Sequence, residues 1–68
     1  NLARRVTVLE REIAALEAQL ASLDEEMNAS ASDPDKLCEL IAQREEADAS
    51  LTEKMEEWEA ASAALEQA

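Results

Sequence analysis

A chain of 68 residues lies near the smallest size at which one hydrophobic core suffices, so a single small domain is the upper bound. Glycine, histidine, tyrosine and phenylalanine are all absent, which excludes a phosphate-cradling glycine loop, a histidine-dependent catalytic pair and a basic stacking platform for nucleic acid. With 6 Lys+Arg against 17 Asp+Glu, the formal charge of -11 repels nucleic-acid phosphates and anionic membrane surfaces at long range.

Taken in order, the chain opens on Asn1-Leu2-Ala3-Arg4-Arg5, without an initiator methionine and without the apolar core of a signal peptide, so a fragment of a longer protein is the expectation. From Leu2 the large apolar residues fall at Val6, Leu9, Ile13, Leu16, Leu20, Leu23 and Met27. The steps alternate four and three without a slip, the signature of a coiled-coil seam, and predict a helix over 2–27. Arg4, Arg5 and Arg11 cluster near its start, and Asp24, Glu25 and Glu26 near its end. Both placements oppose the helix dipole, so each cluster calls for a neighbour of the other sign.

Asn28 to Asp33 form a polar run without periodicity, read as a turn in which Asn28 supplies a left-handed cap. Pro34 suits the first position of a second helix, with Asp33 or Ser32 accepting its unpaired amides. That helix is expected over 34–66. Continuing the four-three pattern selects Leu37, Ile41, Arg44, Asp48, Leu51, Met55, Trp58, Ser62 and Leu65, with Leu40 and Ala47 widening the stripe.

A link this short favours antiparallel neighbours. Folding the chain back pairs Met27 with Leu37, Leu23 with Ile41, Leu20 with Arg44, Leu16 with Asp48, Ile13 with Leu51, Leu9 with Met55, Val6 with Trp58 and Leu2 with Ser62. The residue numbers in each pair have a constant sum, so the register is consistent throughout. The expected fold is therefore all-α: a two-helix antiparallel coiled-coil hairpin spanning residues 1–68. It sets the arginine cluster beside Glu53, Glu56, Glu57 and Glu59, sets Lys36 beside Asp24 to Glu26, and makes Glu12 and Lys54 the leading flanking ion pair. Two such hairpins could also associate as a homodimeric four-helix bundle.

Four features bear on function. Arg44 and Asp48 interrupt the seam; either they snorkel to its edge, or they form a register-setting polar layer or a local binding point. Trp58, the sole aromatic, either caps the seam against Val6 with one ring edge wet or anchors a partner. Cys38 has neither a histidine nor a second cysteine to work with, which leaves a small apolar filler and, with no disulfide to form, points to a reducing, cytoplasmic setting. The carboxylates are spread along a helix surface without a loop to converge them on a metal ion. No catalytic, cofactor-binding or metal-ligating residue is expected; the candidate partner-binding residues are Arg4, Arg5, Arg11 and Trp58.

Three segments in this order resemble a known family: Leu9-Glu10-Arg11-Glu12-Ile13-Ala14-Ala15-Leu16-Glu17-Ala18-Gln19-Leu20, the helix start Asp33-Pro34-Asp35-Lys36-Leu37, and Met55-Glu56-Glu57-Trp58-Glu59. Together they resemble the C-terminal coiled-coil domain of the ABC-F proteins, which carry two ATP-binding cassettes and no membrane domain. The resemblance implies a C-terminal accessory arm of a cytosolic protein that acts in many members on the translating ribosome and in some confers antibiotic resistance. ATP and magnesium would belong to cassettes outside these residues, and the arm's partners would be the ribosome or its own cassettes. The scarcity of lysine and arginine argues against direct DNA binding, with Arg4, Arg5 and Arg11 the only group that could meet phosphates together. The alternative is a structural or dimerisation coiled coil of an unrelated scaffold protein.

Overall fold

The structure, a computed structural model, describes residues 1–67. It consists of α1, Leu2–Ala29, and α2, Pro34–Gln67, packed along one another in a rod of 53 × 14 × 13 Å. No strand occurs among the described residues, and the architecture is the expected all-α helical hairpin.

Asn1 starts α1: its Oδ1 accepts the Arg4 amide at 3.3 Å and its carbonyl accepts the Arg5 amide at 3.1 Å. The first turn holds no acidic residue, so this side-chain cap satisfies a donor without the help of favourable charge. At the other end the helix continues two residues past the expected boundary. Asn28 lies inside it, and Ser30 closes it, donating its amide to the carbonyls of Glu26 and Met27 at 3.0 and 3.3 Å. The left-handed cap assigned to Asn28 is therefore not formed. Ser30 sits at φ -105°, and no described residue has positive φ, because the link turns the chain without visiting that region.

Asp33 then resolves the start of α2. Its amide donates to the Ser30 carbonyl at 2.9 Å, its Oδ1 accepts the Lys36 amide at 3.2 Å, and its carbonyl accepts the Leu37 amide at 3.0 Å. Asp33 rather than Ser32 is the cap, and Pro34 stands where its missing N–H costs nothing.

From Val6 onward the seam of α1 is as expected, but that of α2 is rotated, and Leu2 and Leu65, expected in the seam at the open end, are exposed instead. The buried side chains are Leu9 and Leu23 on α1 and Leu40, Ala47 and Ala61 on α2. Leu23, Leu40 and Ala47 form one cluster, with Leu20 and Met27 packed against it. Leu40 is 3% exposed whereas Ile41, expected in the seam, is 44% exposed; Met55 likewise stands 45% exposed. Asp48 is also exposed. The working series on α2 is thus Leu37, Leu40, Arg44, Ala47, Leu51, Lys54, Trp58 and Ala61, and the pairings of Leu23 with Ile41, Leu16 with Asp48 and Leu9 with Met55 are corrected accordingly.

Two physical terms favour this register. Ala47 and Ala61 let the helix axes approach more closely than bulkier side chains would. The alternative series would bury Asp48, whose short side chain cannot carry its charge back to water, whereas the long stem of Lys54 can lie along the seam with its ammonium at the edge.

Candidate interaction surface

The rotated register gives the hairpin two unlike long edges. One follows Leu9, Leu16 and Leu23 on α1 with Leu40, Ala47, Lys54 and Ala61 on α2, and it contains all five buried side chains. Its rim is polar. Lys54 Nζ lies 2.7 Å from Glu12 Oε2 and 3.6 Å from Glu57 Oε2, and Glu57 Oε1 accepts from Arg5 Nη2 at 3.2 Å. The hydrogen bond to Glu12 holds the Lys54 ammonium above its ordinary pKa of 10.5, the Glu12 charge adds to this, and partial loss of water opposes it. The expected Glu12–Lys54 pair is present, though Lys54 reaches it from within the seam.

The other edge follows Val6, Ile13, Leu20 and Met27 with Leu37, Arg44, Leu51 and Trp58. Its side chains are bulkier, and each of them is half-buried. Arg44 Nε donates to Asp24 Oδ1 at 2.8 Å, which raises the guanidinium's affinity for its proton and settles Arg44 as a residue paired at the rim. Asp48 makes no ion pair among the described residues, so the two do not form a polar layer across the seam. Further along, Glu10, Ile13, Met55, Trp58 and Glu59 line an open groove of about 380 Å³.

Trp58 is half-buried, and its indole Nε1 is covered and finds no acceptor among the described residues. The ring edge expected in water is therefore not the one that bears the N–H. Cys38, expected as an apolar filler, is exposed. Lys36 forms no ion pair among the described residues, so the expected match with Asp24 to Glu26 is replaced by that of Arg44 with Asp24.

Arg4 and Arg5 share a groove of about 290 Å³ with Asn1, Val8, Leu9, Glu12, Lys54 and Glu57. Arg5 is engaged by Glu57, and Arg11 is not part of that lining. The candidate residues thus divide, with Arg5 on the polar edge and Trp58 on the open one. Ile41 and Met55, which the spacing assigns to the seam, are surface residues instead; the signal for this was the second, equally spaced series through Leu40, Ala47, Lys54 and Ala61 on α2. No group of metal-ligating side chains occurs among the described residues, and no helix is long and apolar enough to cross a membrane.

The described residues thus form a two-helix rod whose polar and apolar groups are strung along its length, the architecture of a helical hairpin domain. Residues 1–63 match the family model described as ABC transporter C-terminal domain, and the chain belongs to that family. Neither a curated protein nor a solved structure matches the chain. Family membership gives the hairpin an accessory part in an ABC protein.

Proposed function

We propose that the hairpin is the interaction arm of an ABC-F type ATP-binding protein in the cytoplasm, assisting its association with the ribosome or the positioning of its cassettes. The observation that carries this reading is the family match over residues 1–63, to which the Leu9 to Leu20 segment, the Asp33-Pro34 start and the Met55 to Glu59 segment add the ABC-F likeness. ATP and magnesium then act in cassettes that these residues do not include. Direct capture of nucleic acid is disfavoured by the charge of -11 and by the engagement of Arg5 with Glu57.

The test has two stages. The reading frame that encodes the arm must also encode two Gly-x-x-x-x-Gly-Lys-Ser/Thr phosphate loops. Ribosome co-sedimentation of that protein, with and without the hairpin, should then show a loss of association or of ribosome-stimulated ATP hydrolysis on deletion. Absence of the phosphate loops, or identical behaviour of the deleted protein in both assays, overturns the reading.

A further inference from the structure

We propose that the open edge of the hairpin is a docking surface for a basic amphipathic helix of another protein segment. This inference does not depend on the ABC-F reading, because it rests only on the hairpin's own surface. Ile41, Asp48 and Met55 follow one another at seven-residue intervals along α2, so they share one strip of the helix. Ile41 and Met55 are among the most exposed large apolar side chains of the molecule, and Asp48 lies exposed between them.

Beside Met55 the strip opens into the groove that it lines with Ile13, Trp58 and the two carboxylates of Glu10 and Glu59. Glu10, Asp48 and Glu59 make no ion pair among the described residues. An apolar strip with unpaired acids on it and beside it is complementary to a helix that is apolar on one face and cationic at its margins. The spacing specifies that helix further. Its apolar anchors for Ile41 and Met55 must lie ~21 Å apart, with a lysine or arginine midway to meet Asp48. A second copy of this chain fits poorly, since each copy carries a charge of -11 and would bring carboxylates against carboxylates. Trp58 has no side-chain hydrogen bond to lose when a partner's side chain enters beside it.

Trp58 is the only aromatic residue, so its fluorescence reports this groove without interference. The probe is a 21-residue leucine/lysine peptide with leucines at heptad spacing on one face, titrated into the hairpin beside a peptide of the same composition in scrambled order. The patterned peptide is expected to shift Trp58 emission to shorter wavelength along a saturable curve. It should bind at least about tenfold more tightly than the scrambled one, a preference that Met55→Asp and Glu10→Lys/Glu59→Lys each remove. Met55 and both glutamates are exposed, so the variants should keep the wild-type helical circular dichroism. Binding of both peptides with equal affinity, an unchanged Kd in the variants, no change in Trp58 emission, or self-association that shifts the emission without peptide would each overturn the proposal.

Discussion

Lys54 occupies a core-facing position of α2, yet its Nζ reaches Glu12 Oε2 at 2.7 Å on the polar edge of the hairpin. The side chain spans two environments, its stem in the seam and its charge at the rim, where the Lys54 and Glu12 side chains remain 36% and 41% exposed. Replacing Lys54 with methionine keeps the stem and removes the charge, while Glu12 stays in contact with water. The expected result is a melting midpoint roughly 5 °C higher by circular dichroism, and a fall in the midpoint would show that the ion pair outweighs an apolar filler.

The same pair fixes a pH dependence. Because the folded-state pKa of Lys54 is raised, its stabilising contribution is complete below the ordinary value of 10.5 and disappears as the pH climbs through the folded value. Wild-type hairpin should therefore lose more stability between neutral pH and strongly alkaline pH than Lys54→Met does. Parallel loss in both proteins would remove the pair from the account.

The register of α2 can be read from two neighbouring residues. Leu40→Ala empties a buried position and should cost about 2–5 kcal/mol, whereas Ile41→Ala trims a side chain already half in water and should cost no more than about 1 kcal/mol. Urea titrations of the two variants compare them directly. Equal costs, or the reverse order, would restore the series through Ile41 and Met55.

At the tip, Asp33→Ala should cost about 1 kcal/mol by removing the acceptor of the Lys36 amide, and Asp33→Asn, which keeps an acceptor, should cost less. If the two variants are equally destabilised, the negative charge rather than the hydrogen bond is what the helix uses there.

Added sodium chloride should stabilise the hairpin. The few cross-helix pairs are exposed and weak, while 17 acidic side chains on one narrow rod repel one another. Raising the salt from about 0.1 to 1 M shortens the screening length from about 10 to 3 Å and relieves that repulsion. A melting midpoint that falls with salt would give the ion pairs the larger share.

Much of this molecule is legible in its sequence. The unbroken four-three spacing of α1 leaves one face to bury, Asp33-Pro34 marks a helix start, and the folded-back numbering puts Glu12 within reach of Lys54. Where reading fails, adjacent residues compete for the same place. Leu40 and Ile41 are equally apolar, Met55 looks a better core residue than Lys54, and Leu40 and Ala47, which the spacing assigns only to the widening of the stripe, are its buried members. The choice depends on how closely the axes can approach at Ala47 and Ala61 and on which charge can escape to the rim, and both are properties of the pair of helices. The open edge was hidden for the same reason, since Ile41 and Met55 become surface residues only once the other series is buried.

The hairpin contains no glycine, its described residues show no positive φ, and its one proline opens α2 instead of interrupting it. Those are the usual places where a helix bends, so the two arms brace each other along their shared length without a built-in joint. Such a rod behaves as a pointer. A slight tilt imposed at the end that holds Leu2 and Gln67 becomes a swing of the Ser30 to Asp33 tip across a 53 Å radius, so the tip reports angle at the base rather than any local rearrangement of its own.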